Sequence, residues 1–220
     1  ELIRRGLGAF GKSLTDYLNG DEKAFSRVIR LEDGNVEKMY SSFYFNTYDD
    51  WSPTQKALTV WITGRVLDVG VGAGRLALFL QEKGLDVTAI DLDPAVLDVA
   101  RLRGVKDLRL HDILAGPLDG EKFDTICLFG QNLGIAGKHE NVGPFLDTLK
   151  SMLNPGGCIV GTQINWDRTD NPEHLKFQEF NRKAGRHPVE MTLRIAHEDI
   201  EEDFSWCLTD QEELRDIARN

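Results

Sequence analysis

Of the 220 residues only three are cysteine, and they form neither a CxxC pair nor a Cys/His cluster at metal-ligand spacing. A disulfide framework and a zinc module are therefore excluded as readings, and no metal site is expected. Cys127 and Cys158 lie in apolar runs and read as reduced, buried thiols. No apolar run approaches the ~18 residues that a membrane helix needs. No signal peptide is visible either, so the expectation is a cytoplasmic protein with no membrane partner. The first residue is Glu1, which suggests a start inside a longer chain.

A basic stripe is also missing. The formal net charge is −10, and the densest charge run, HEDIEED at 197–203, is acidic. Non-specific phosphate contacts need basic surface, so a small molecule is expected as partner rather than nucleic acid. The acidic run itself reads as a solvated hairpin end. Internal repeats and low-complexity tracts are absent, the five histidines are scattered, and the oligomeric state is not readable. With 41% hydrophobic and 28% charged residues, the chain can build one substantial core with appended elements.

From residue 65 the pattern becomes regular. RVLDVG is a short apolar strand, GRLALFLQEKG a helix closed by Gly84, and DVTAID a second strand. Asp93-Pro94 supplies an N-cap and an N1 proline for a helix over AVLDVARL. LRLHD and FDTICLF are further strands; a helix near 139–153 stops at NPGG, and CIVGTQI is the fifth strand. Strands alternating with helices predict an α/β fold with a doubly wound, mostly parallel sheet. Residues 52–165 form this core. Residues 1–51 are expected as an N-terminal cap: a helix, a hairpin around Asp33-Gly34, and the aromatic stretch Tyr40–Trp51. Residues 166–220 comprise a helix, a lid hairpin of EMTLRIA and DFSWCLT, and a last helix. Truncation before the final strands is expected; the alternative is that these two runs are themselves the last strands of the sheet.

Two stretches compete as nucleotide site. GLGAFGKS at 6–13 satisfies the P-loop pattern G-x-x-x-x-G-K-[ST], but only the polar ELIRR precedes it, not a buried strand. VLDVGVGAGRLALFL at 66–80 has the strand, the turn and the helix. Asp91, at the end of the next strand, stands where ribose hydroxyls are recognised. The dinucleotide spacing G-x-G-x-x-G is not met, because Arg75 occupies the position of the last glycine. Asp68, two places before Gly70, suits an ammonium and a sulfonium better than two phosphates.

In sequence, LDVGVGAG, AIDLDP, LHDI, FDTICLFGQN and LNPGG resemble the ordered motifs of the class I S-adenosylmethionine-dependent methyltransferases (Rossmann-like) over about 65–165. The wider layout is similar to a group of bacterial small-molecule methyltransferases. The resemblance implies S-adenosylmethionine as cofactor, S-adenosylhomocysteine as product, and transfer of a methyl group to a small-molecule acceptor by in-line displacement. It places Gly70, Gly72 and Gly74 against the methionine and ribose portions, Asp68 at the amino group, and Asp91 at the ribose with Leu92 against adenine. Asp112 falls at the adenine amino group with Ile113 beside it, and Phe129 and Gly130 at the methionine side.

Acceptors in open α/β sheets sit at the strands' C-terminal ends, which makes Gln131, Asn132 and Asn165 candidates for the acceptor side. Asn132 reads equally well as a loop stabiliser. Tyr44 and Tyr48 are candidates for a lid over the sulfonium, with packing of a cap onto the core as the alternative. No catalytic base is named. A non-catalytic S-adenosylmethionine-binding module and an NAD-dependent oxidoreductase remain as competing readings.

Overall fold

The computed structural model describes residues 8–219. Helix α1 (Ala9–Leu18) leads into the hairpin β1 (Phe25–Arg30) and β2 (Val36–Tyr40), and short 3-10 turns carry the chain to α2 (Pro53–Leu58). The core then alternates: β3 (Arg65–Val69), α3 (Arg75–Glu82), β4 (Asp86–Asp91), α4 (Pro94–Arg103), β5 (Asp107–Leu110), β6 (Phe123–Leu128), α5 (Val142–Ser151) and β7 (Leu153–Gly161). Helix α6 (Pro172–Lys183), the hairpin β8 (Glu190–His197) and β9 (Ile200–Cys207), and α7 (Gln211–Arg219) follow.

Strands β5-β4-β3-β6-β7 form one five-stranded sheet in which every pairing is parallel. Both faces are covered, which is why these strands read as near-continuous apolar runs. Val66, Val87 and Ala89 pack against α3 and α4, while Leu67, Val69 and Ile126 pack against α5. The expected doubly wound α/β class is therefore what the chain adopts. Among the described residues no helix is long and apolar enough to cross a membrane. One expectation fails: Cys158 is exposed. It lies on β7, one of the two edge strands of the five, and an apolar run cannot say whether its strand has a neighbour on each side.

The two hairpins do not remain separate. Strand β1 pairs antiparallel with β8, giving a second sheet in the order β2-β1-β8-β9. EMTLRIA and DFSWCLT thus belong to this sheet and not to the parallel one. His197 fastens it to α1: Nδ1 lies 2.8 Å from the Phe25 carbonyl and Nε2 2.8 Å from Asp16 Oδ2. On the other side, the Trp206 indole of β9 fits against Gly134, where a Cβ would stand 2.2 Å from the ring.

The glycines of GLGAFGKS also find their use; Gly6 and Leu7 lie outside the described residues. The stretch opens α1, and its start points at a carboxylate of the same chain. Asp93 accepts backbone hydrogen bonds at Gly8 and Gly11 as well as at Ala95, the last at 2.8 Å. A Cβ at Gly11 would stand 2.5 Å from Asp93 Oδ2. Lys12 turns away to Asp16, with Nζ 2.5 Å from Oδ2. Asp93 thus caps α4 and docks α1 at once. Asp93→Ala is expected to lower the unfolding free energy by about 1–2 kcal/mol and to speed amide exchange across residues 9–18. Unchanged protection there would refute the docking role.

Candidate functional site

The turn between β3 and α3, residues 69–74, is the floor of the site. Strand β4 ends at Asp91 beside it, with Val69 level with Ile90, so Asp68 and Asp91 arrive at the same edge of the sheet. Gly70, Gly72 and Gly74 have φ of +74°, +53° and +84°, a region that side-chain-bearing residues rarely enter. At Gly70 a Cβ would also stand 2.5 Å from Asn132 Nδ2.

Both carboxylates are short of ordinary solvation. Asp91 Oδ1 accepts from the Asp93 N–H at 3.1 Å and Oδ2 from Gly72 N–H at 3.4 Å; burial still pushes its pKa up to about 6. Asp68 is 3% exposed. Burial pushes it to about 7, with the Arg75 guanidinium pulling it down and the Asp91 charge pushing it up. Two carboxylates beside a turn of open backbone can receive a ligand that carries a cation and hydroxyls.

Arg75, the half-buried first residue of α3, is the positive charge that faces Asp68. Its guanidinium lies over Phe43 at 4.8 Å and Trp51 at 5.6 Å from the ring centroids, and burial lowers its pKa. Trp51 is 4% exposed, packs against Phe129 at 6.2 Å, and its Nε1 finds no hydrogen-bond partner among the described residues. Sequence reasoning uses Arg75 only as a departure from the dinucleotide spacing, and Trp51 only as one aromatic among several. The available signal was a cationic residue directly after the last glycine.

Three side chains from other elements hold the turn's backbone. Asn132 Nδ2 donates to the carbonyls of Val69 (2.6 Å) and Gly70 (3.0 Å). Arg103, from the end of α4, donates to Ala73 O at 2.5 Å and to Tyr44 O and Phe45 O at 3.4 and 3.5 Å. Together with Asp91 on Gly72, these bonds tie the glycine turn to α4, to the loop after β6 and to the N-terminal aromatic stretch.

The remaining candidates fall as follows. Leu92 is 53% exposed beside Asp91. Asp112 accepts from Leu114 N–H at 2.9 Å, capping a short turn, and Ile113 is buried. Phe129 is buried; Gly130 and Gln131 both have positive φ, +73° and +70°. For Gln131 that conformation costs on the order of 1 kcal/mol, and such strain tends to collect at working sites. The Gly130 N–H donates to Thr162 Oγ1 at 3.1 Å. The Tyr44 ring lies 3.5 Å from where a Gly72 Cβ would be, and its hydroxyl donates to Met39 Sδ at 2.9 Å. Tyr48 stacks on Phe79 of α3, 4.5 Å apart and 4° from parallel. Asn165 is exposed, with its amide beside Asp167 and Arg168 of its own turn. Asp68, the glycines, Asp91, Tyr44 and Asn132 are thus drawn together with Arg75 and Trp51. Tyr48 adjoins this group through Trp51, with ring centroids 5.5 Å apart, whereas the amide contacts of Asn165 lie within its own turn.

Residues 66–157 match a family described as "Methyltransferase domain". The chain is 34% identical over 136 residues to malonyl-[acyl-carrier protein] O-methyltransferase of Salmonella typhimurium, covering 54% of this chain and 51% of that protein. It is 35% identical over 109 residues to ubiquinone biosynthesis O-methyltransferase of Xylella fastidiosa, covering 46% and 42%. The chain spans about half the length of these curated relatives. Among solved structures, a SAM-dependent methyltransferase from Bacteroides fragilis in complex with S-adenosyl-L-homocysteine matches with a TM-score of 0.80 at 27% identity. That match covers 96% of this chain and 84% of the other.

The raised carboxylates set a pH dependence. The folded protein keeps protons on Asp68 and Asp91 that the unfolded chain has already released, so stability falls as pH rises from about 4. Asp91 contributes up to about 6 and Asp68 up to about 7. Urea titrations of the ligand-free protein should show this decline, and Asp68→Asn should flatten the stretch between pH 6 and 7. An unaltered slope in that variant would contradict the assignment.

Proposed function

We propose that this chain, which belongs to the class I S-adenosylmethionine-dependent methyltransferases and takes S-adenosylmethionine as cofactor, transfers the methyl group by in-line displacement to a small-molecule acceptor. The observation that carries this reading is the buried Asp68 at the foot of a turn whose three glycines all have positive φ, with Asp91 one strand away. The acidic net charge favours a small acceptor over nucleic acid. The two named relatives are O-methyltransferases, which favours an oxygen nucleophile.

Bound, the cofactor supplies a methyl group on a positive sulfur that leaves as a neutral thioether. The residues of this chain do the holding. Asp68 receives the ammonium end, and Arg75 with the unpartnered Trp51 Nε1 offers donors to the neighbouring carboxylate. Asp91 takes the ribose hydroxyls and Leu92 covers adenine, with Asp112 and Ile113 at its amino edge. Phe129 and Gly130 border the methionine portion. Tyr44 and Gln131 stand on the acceptor side, while Asn132 acts as a positioning residue through the carbonyls of Val69 and Gly70. Residues 8–51 and 166–219 cover the core at 52–165 and exclude water, so that orientation lowers the barrier. No general base is assigned.

Calorimetric titration with S-adenosylmethionine, S-adenosylhomocysteine, NAD and ATP tests the reading. The two sulfur nucleosides should bind and NAD and ATP should not; Asp91→Ala should weaken binding by about 1–3 kcal/mol, the cost of unpairing buried polar groups. S-Adenosylmethionine affinity should rise between pH 5.5 and 7 with net proton release, because the ligand's cation requires Asp68 ionised. Binding of NAD alone would turn the reading to an oxidoreductase. Cofactor binding without turnover of any oxygen acceptor would leave a binding module.

A further inference from the structure

His139, in the short turn before α5, His187, between α6 and β8, and Glu213, in the first turn of α7, come together from three separate segments. The two imidazoles stack, with centroids 4.2 Å apart and planes 7° from parallel. Both Nε2 atoms converge on one oxygen: Glu213 Oε1 lies 2.7 Å from His187 Nε2 and 3.9 Å from His139 Nε2. One potential ligand atom from each residue lies within 4.8 Å of the others. His139 Nε2 and His187 Nδ1 are buried and have no hydrogen-bond partner among the described residues. The second oxygen of Glu213 is fixed from behind, by Trp166 Nε1 at 3.3 Å and the Asp210 N–H at 2.7 Å.

We infer that His139, His187 and Glu213 bind a divalent transition-metal ion of the zinc class. Two imidazole nitrogens and one carboxylate oxygen suit Zn2+, Co2+ or Ni2+ rather than the all-oxygen cations. Metal–ligand bonds of about 2.0–2.2 Å require ligand atoms roughly 3.3 Å apart in tetrahedral geometry. Because each imidazole lone pair lies in its ring plane, one of the two stacked rings must turn out of the stack for both Nε2 atoms to aim at one ion, which then takes up the unpartnered His139 Nε2. The hydrogen bonds behind Glu213 are the kind of outer support that aims a metal-binding carboxylate. By contrast, the other group of this sort, Asp16, His197 and Glu198, is already saturated. Lys12 lies 2.5 Å from Asp16 and 3.3 Å from Glu198, and both ring nitrogens of His197 are engaged.

His139 also lines a cavity of about 830 Å³ between β7, α5 and α7. Gln163 lines it too, and its buried amide nitrogen and oxygen both lack partners among the described residues. An ion at His139 would stand on the rim of this space. Three protein ligands leave a fourth position, which suits water.

The test is titration of chelator-treated protein with Co2+ alone, followed by its visible absorption, then displacement by Zn2+. A single site with tetrahedral Co2+ bands is expected. His139→Ala and Glu213→Gln should each weaken binding by about tenfold or more, while His174→Ala should not. Melting curves and S-adenosylhomocysteine calorimetry on the same samples report folding and the cofactor site separately. Absence of saturable Co2+ binding, or full affinity in both folded variants, overturns the site whatever the cofactor titration shows.

Discussion

In the 69–74 turn the N–H groups of Gly70 and Val71 donate to the Ile90 carbonyl of β4, but the carbonyls of Gly70 and Ala73 and the N–H of Gly72 are met by side chains, and the rest of the molecule depends on how they are satisfied. Asn132, Arg103 and Asp91 reach in from three different elements and take the groups nearest the ligand side. Each also binds something else together. Arg103 carries the aromatic cap through the carbonyls of Tyr44 and Phe45, and Asn132 fixes the loop that contains the strained Gln131. A buried backbone amide left unpaired is costly, so the turn, the cap and the β6 loop have to form as one arrangement.

The start of α1 is governed by the same rule. A helix N-terminus preceded by glycines attracts an anion, and here the anion is Asp93 of the same chain. The resemblance to a phosphate loop is therefore chemically genuine and functionally spent, because the donors that would meet a phosphate are committed to a carboxylate. Asp93 then joins the cap to α4, next to Asp91, so the carboxylate that helps seat α1 lies two residues from the one that faces the site.

Local geometry left clear marks in the sequence. Gly70, Gly72 and Gly74 are forced by positive φ, Asp93-Pro94 by the needs of a helix start, and Asp33-Gly34 by a turn in which Gly34 has φ +70°. Relations that close over long distances left none. Nothing in β1 announces β8 as its neighbour, and nothing around Cys158 announces an outer strand. Trp51 reads as packing until Arg75 and Phe129 are seen against it. His139, His187 and Glu213 are too far apart in sequence to form any spacing motif, and only the fold places them together.

The sheet shared by the two ends of the chain has a consequence for biosynthesis. Val28 pairs with Ile195, roughly 170 residues later, so β1 and β2 leave the ribosome long before β8 exists. At ~5–20 residues per second that interval is roughly ten to thirty seconds. The parallel core can order itself meanwhile, but β1 waits with one edge unpaired, a state in which strands recruit unintended neighbours. Its charged residues Arg27 and Arg30, and Glu37 and Lys38 on β2, help keep that waiting hairpin solitary until its own partner arrives.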